Sequence, residues 1–239
     1  MKDMVEEQQP QILVVEDNQA VVRVVQRVLE INGYRVIVAS DGVEALEKFE
    51  ATKPDLILLD IGIPELDGIE VCRRIRKQSN VAIIMVTGRD SDEDVLLGLE
   101  AGADDYVSKP FNAGVLAARV STVLRRTQTL GPTSSHGRYT CGGLIVDFDS
   151  HRVLRGSQEF HITPTEYRLL SVLVQHVGVV VASETLLVEV CGAEYAGETQ
   201  ILRTNINRLR KKVEPDSETP IYIRTRPGAG YRLDCPASD

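Results

Sequence analysis

A doubly wound α/β sheet of five parallel strands, followed by a smaller α+β unit, is the fold class that this sequence predicts. Three observations predict it. Up to about residue 126 short apolar runs alternate five times with amphipathic stretches, and repeated strand–helix alternation belongs to parallel sheets with helical crossovers. The runs are continuously apolar, as in Leu56, Ile57, Leu58 and Leu59, which suits strands covered on both faces. Beyond a polar, turn-rich stretch the pattern changes to short runs broken by Gly, Asp and Ser, the mark of a small antiparallel sheet.

The strand-like runs of the first region are 12–15 (ILVV), 34–38 (YRVIV), 56–59 (LILL), 81–86 (VAIIMV) and 105–108 (DYVS). Helical stretches lie near 18–31, 41–51, 68–78, 91–101 and 112–126. Gly33 stands where a helix C-cap is wanted before the second strand. The stretch 127–137, TQTLGPTSSHG, reads as a linker. In the second region, 139–162 predicts the antiparallel sheet. Helices are predicted near 164–177, 183–190 and 198–213, and 221–233 predicts a hairpin around RPGAG.

Composition narrows the function. The chain of 239 residues has 27 basic and 35 acidic side chains, a formal charge of -8 that argues against nucleic acid when taken whole. The charge is not evenly spread: residues 1–126 hold 15 basic and 22 acidic groups, whereas 201–232 hold 8 basic and 3 acidic. A local basic excess is what phosphate contacts require. There is no Trp and few aromatics, which disfavours a stacking platform for single strands or sugars. Cys72, Cys141, Cys191 and Cys235 form no C-x-x-C pair and have no His at metal-ligand spacing, and read as buried or idle thiols. No apolar leader or 18-residue apolar stretch occurs, so a soluble, cytoplasmic protein with no membrane partner is expected.

Parallel strands deliver their carboxyl ends to one edge, where ligands bind. The residues just after those strands are Glu16 and Asp17, Asp60, Thr87 and Lys109. Clustered carboxylates repel unless a cation sits among them, and oxygen ligands at an open site suit Mg²⁺. Thr87 and Lys109 can donate to a phosphoryl group. A carboxylate is a competent nucleophile toward phosphorus, and Asp60 is placed to form an acyl phosphate.

The motifs VVED, LILLDIGIPELDG, VTGRD and GADDYVSKPF, in this order, make residues 11–126 resemble the receiver domain of two-component response regulators, a flavodoxin-like fold. That resemblance implies Asp60 as phosphoacceptor, Mg²⁺ held by Glu16, Asp17, Asp60 and the Gly62 carbonyl, and Thr87 and Lys109 on the phosphoryl oxygens. It further implies Tyr106 as a switch aromatic that turns with Thr87, and a cis Lys109-Pro110 bond.

Within 197–215, Leu202, Ile206, Leu209 and Val213 form one apolar stripe of a helix. Helical geometry then places Ile201, Thr204, Asn207, Arg208 and Lys211 opposite it, flanked by Arg203 and Arg210 on one side and Asn205 and Lys212 on the other. Such a helix suits a DNA major groove, since Arg reads guanine and Asn reads adenine. With ITPTEYRLL before it and GAGYRL after it, residues 138–235 resemble the winged-helix effector domain of the OmpR/PhoB type. The resemblance implies a recognition helix from about Glu198, with Ile201, Thr204 and Arg208 reading bases and Arg203, Asn207 and Arg210 near phosphates. Pro227 stands where the wing usually carries a minor-groove Arg, and Arg226 could substitute.

The reading that follows is a phosphorylation-switched transcription regulator, not an enzyme. Implied partners are a sensor histidine kinase, double-stranded DNA with tandem half-sites, RNA polymerase and a second copy of the chain. The rival is a regulator of the same build that dimerises without phosphorylation. A Mg²⁺-dependent aspartyl-phosphate phosphatase is a third reading, but the second acid of a D-x-D motif is missing, because Gly62 stands there. Family members usually dimerise through three intermolecular ion pairs. Two have their residues here, Asp104 with Arg126 and Asp105 with Arg119, while the third position pair is Val95 and Val115. Val115, Arg119 and Arg126 lie at i, i+4 and i+11 on one helical stripe.

Overall fold

The computed structural model describes residues 9–88, 92–128 and 137–236, and the chain divides into two compact units between Ser121 and Thr122. The first unit carries five strands, β1 (Gln11–Val15), β2 (Arg35–Ala39), β3 (Leu56–Asp60), β4 (Ala82–Thr87) and β5 (Asp105–Ser108). All pair in parallel, in the order β2-β1-β3-β4-β5. This is a doubly wound order. The crossovers are α1 (Gln19–Ile31), α2 (Gly42–Thr52), α3 (Gly68–Arg76) and α4 (Asp92–Ala101), and α5 (Ala113–Gln128) follows β5. Every residue of β3 and β4 is buried, which explains their unbroken apolar runs.

The first three helices begin where the sequence supplies an acceptor. Asn18 caps α1 through Ala20 N–H, Asp41 caps α2 through Val43 and Glu44, and Asp67 caps α3 through Glu70. Alternate strand residues Leu13, Val15, Ile57, Leu59, Ile83 and Met85 pack with Ala45, Phe49, Val71, Cys72 and Ile75 into one core. That core fixes the strand ends that carry the acids.

The second unit opens with an antiparallel meander, β6 (Arg138–Cys141), β7 (Leu144–Asp147), β8 (Arg152–Arg155) and β9 (Gln158–Phe160). Three helices follow: α6 (Pro164–Gln175), α7 (Ser183–Cys191) and α8 (Thr199–Val213). A capping box starts α6, with Thr163 and Glu166 each satisfying the other's backbone N–H. The predicted hairpin is present as β11 (Ile223–Arg226) and β12 (Gly230–Leu233). A two-residue strand, β10 (Val181–Ala182), adds to β12 and gives the order β10-β12-β11. So short a strand has no periodicity, and the sequence reading missed it.

One boundary and one cysteine reading need correction. The fifth helix runs to Gln128, two residues into the predicted linker, and 129–136 lie outside the described residues. Cys72 and Cys191 are buried free thiols as expected. Cys141 and Cys235 instead are joined in a disulfide, with Cα atoms 5.1 Å apart across 94 residues of sequence. No spacing rule reveals a pair that only folding brings together.

Candidate functional site

At the carboxyl edge of the first sheet, Glu16, Asp17 and Asp60 bring one carboxylate oxygen each within 4.8 Å of the others. Glu16 and Asp60 are buried and Asp17 is exposed, so the cluster is anchored inside and open on one side. The turn after β3 is built tightly: a Cβ on Gly68 would come 2.1 Å from the Asp60 carbonyl oxygen, so only glycine lets α3 start there. Gly62 N–H donates to Asp60 Oδ1 at 3.2 Å, and Asn18 N–H to Glu16 Oε1 at 3.2 Å. The oxygen-only donor set fits a hard divalent cation such as Mg²⁺.

Lys109 closes the other side. Its ammonium donates to Asp60 Oδ2 at 2.7 Å and to Glu16 Oε2. Burial presses the Lys109 ammonium toward neutrality, but the hydrogen bonds and charges of Asp60 and Glu16 outweigh it, and the net is a rise above the usual lysine value. Lys109 N–H also donates to the Thr87 carbonyl at 2.6 Å, and the following bond to Pro110 is cis. Thr87 is buried at the end of β4, and Tyr106 is half-buried with the Arg119 guanidinium 5.7 Å from its ring centre. The five residues read from strand ends thus come together at one edge.

The second unit holds a different cluster. Glu166, fully buried in α6, pairs with Arg208 at 3.1 Å and Lys212 at 2.5 Å, both on α8. Burial pushes the Glu166 carboxyl up, yet the Arg208 and Lys212 charges win and hold it below the usual glutamate range. This pairing overturns part of the sequence reading of α8. Ile201 and Thr204 are 0% and 3% exposed, and Arg208 is 8% exposed. None of the three is presented to solvent, because α8 packs against both α6 and α7 and buries more than its apolar stripe. The exposed residues are Gln200, Arg203, Asn207 and Lys211, at i, i+3, i+7 and i+11, which span about 80° of arc.

Arg210 is also reassigned. Rather than standing free for a phosphate, it donates to the Ile223 carbonyl through Nε at 2.9 Å and Nη2 at 2.7 Å, and to Thr225 Oγ1 at 2.8 Å. Burial holds its guanidinium below the usual arginine value. Glu214, buried one residue past α8, accepts from the N–H groups of Ile221, Tyr222 and Ile223. The sequence reading passed over Glu166, Glu214 and Gln200. Arg226 is exposed at the end of β11, beside the turn.

Comparison with known proteins decides the family. Residues 12–121 match the model of the response regulator receiver domain, and residues 157–233 that of the C-terminal domain of transcriptional regulatory proteins. The chain belongs to the OmpR/PhoB-type response regulators. This response regulator is 43% identical to the alkaline phosphatase synthesis transcriptional regulatory protein PhoP of Bacillus subtilis, over 94% of this chain and 97% of that protein. It is 41% identical to the transcriptional regulatory protein CseB of Streptomyces coelicolor, over 94% of this chain and 98% of that protein. Among solved structures, the OmpR/PhoB homologue DrrB of Thermotoga maritima is 33% identical, with a TM-score of 0.50 over 95% of this chain and 99% of that chain.

The four charged residues of the family-derived dimer set are already engaged within the chain. Asp105 pairs with Arg119 at 2.9 Å. Asp104 pairs with Arg76 at 2.8 Å and accepts from Ile83 N–H at 3.0 Å. Arg126 is buried in the second unit, where Nη2 donates to the Cys191 carbonyl at 2.7 Å. Val115 is 48% exposed and Val95 half-buried. No helix among the described residues is long and apolar enough to cross a membrane.

Proposed function

We propose that this response regulator is switched by phosphorylation of Asp60 by a sensor histidine kinase in the cytoplasm, and that the switched form dimerises on tandem half-sites of promoter DNA and engages RNA polymerase. The single observation that carries the proposal is the pocket itself: three carboxylates against one ammonium, with Asp60 held at 2.7 Å from Lys109 Nζ. An Asp60 carboxylate oxygen attacks phosphorus, the P–N bond of a phosphohistidine breaks, and the leaving imidazole takes up a proton. Glu16, Asp17, Asp60 and the Gly62 carbonyl would hold Mg²⁺, which neutralises charge on the transferring group. Lys109 and Thr87 take the product oxygens, and Tyr106 follows Thr87.

On DNA, the corrected face of α8 carries the reading. Arg203 at one edge of the exposed arc and Asn207 within it, beside Gln200 and with Lys211 at the other edge, supply the guanine- and adenine-directed groups, with Arg226 reaching from the hairpin. Incubation of the full chain with Mg²⁺ and phosphoramidate, read by intact mass, tests the switch. One added phosphoryl group is expected, none on Asp60→Ala, and tighter DNA binding after labelling. Labelling of Asp60→Ala at the normal rate would remove the site assignment.

A further inference from the structure

We propose that Cys141 and Cys235 form a reversible thiol–disulfide exchange site, whose substrate is a low-molecular-weight disulfide and whose product covalently ties β6 to the segment after β12. The two residues lie 94 positions apart at opposite ends of the effector domain, yet their Cα atoms are 5.1 Å apart, well inside the range a disulfide spans. Hydrogen bonds independent of the S–S bond hold Cys141 and the residue before Cys235 there. Cys141 pairs with Leu144 in the β6–β7 ladder. On the other side, Asp234 N–H donates to the Tyr222 carbonyl at 2.7 Å, and the Tyr222 hydroxyl accepts from Gly143 N–H at 3.3 Å. The thiols therefore meet in the reduced protein too, and closing the bond requires no rearrangement.

The two residues differ in access, which sets the order of steps. Cys235 is exposed and Cys141 is 0% exposed. The Cys235 thiolate attacks a small disulfide RSSR, its S–S bond breaks, a mixed disulfide forms, and RS⁻ leaves as RSH with the proton from Cys235. The Cys141 thiolate then attacks the Cys235 sulfur, expelling the second RS⁻, which takes the Cys141 proton. Two protein thiols and one RSSR become one protein disulfide and two RSH. Cys72 and Cys191 are buried and take no part.

The link joins the four-stranded and the three-stranded sheets of the domain. It also pins the residue beside Asp234, whose carboxylate binds Arg232 at 2.5 Å and Arg224 at 3.3 Å. Closing so long a loop restrains the unfolded chain strongly, so the effector domain gains thermal stability on oxidation.

The test uses the reduced full chain treated with glutathione disulfide, followed by native alkylation and peptide mapping without reductant. A Cys141–Cys235 cross-linked peptide is expected, reversed by dithiothreitol, with a rise of roughly 10 °C or more in the effector melting midpoint. Cys141→Ser should stop at one glutathionyl adduct on Cys235, and Cys235→Ser should gain neither adduct nor cross-link. Cross-links to Cys72 or Cys191, an unchanged midpoint, or an adduct on Cys141 in Cys235→Ser would each overturn the proposal. Mapping of the unmutated chain decides it even where a variant folds poorly.

Discussion

The two charged clusters of this molecule use the same residue types to opposite ends. At the receiver edge, Glu16 and Asp60 share Lys109 but keep Asp17 exposed and carry excess negative charge. In the effector, one buried Glu166 is shared by Arg208 and Lys212, and the excess is positive. The first cluster has carboxylate oxygens left over for a cation and stays open on one side. The second is a fully buried carboxylate claimed by two cations of another helix, so it holds α6 to α8. Access and surplus charge, rather than the presence of acids and bases, separate a reactive site from a structural one.

Breaking the cluster around the buried Glu166 should have the largest effect. Glu166→Gln leaves Arg208 buried beside a neutral partner and should cost the effector about 3 to 5 kcal/mol by denaturant melting, whereas Asp60→Ala removes an acid from a negatively charged pocket and should cost little. Comparable losses in the two variants would erase the distinction. Next come the exposed residues of α8: Arg203→Ala and Asn207→Ala should each weaken specific DNA binding by about 1 to 3 kcal/mol and relax preference at one base. Arg208→Ala should lower stability without altering base preference. A changed preference, measured by binding selection, would return Arg208 to the groove.

Acid titration sharpens the same contrast by a smaller amount. The Glu166 carboxyl is held below its unfolded value, so its contribution is fully present above about pH 4.3 and is lost as pH falls toward the folded value. In that window Glu166→Gln should show a shallower fall of stability, by up to ~1.4 kcal/mol per pH unit. The smallest effect concerns the valines. If Val95 and Val115 meet across a phosphorylated dimer, Val95→Lys should weaken dimerisation by about 1 kcal/mol or less, and adding Val115→Glu should restore it. Equal sedimentation of the unmutated chain and Val95→Lys would take Val95 out of the interface.

The receiver edge was legible because three of its clustered residues directly follow an apolar run, so locating the run locates the residue: Glu16 follows ILVV, Asp60 ends LILLD and Thr87 ends AIIMVT. The effector was legible as elements and misread as a surface. The apolar stripe of α8 gives the centre of its buried face but not its width, and the width is set by Glu166, 42 positions before Arg208, which draws that arginine inward. Thr204 is buried for the same geometric reason. The Cys141–Cys235 contact and strand β10 escaped because both depend on tertiary neighbours and leave no local pattern.

Ile223 has both of its backbone polar groups claimed from the end of α8, the carbonyl by Arg210 and the amide by Glu214. The helix and the hairpin are consequently one caliper with a fixed gap, unable to slide independently. Where the grooves of a target do not match that gap, the duplex must bend or narrow to fit, and its own stiffness then enters the choice of site. Arg210→Ala would loosen the jaws, making binding less selective for deformable steps while the base contacts proposed for Arg203 and Asn207 remain.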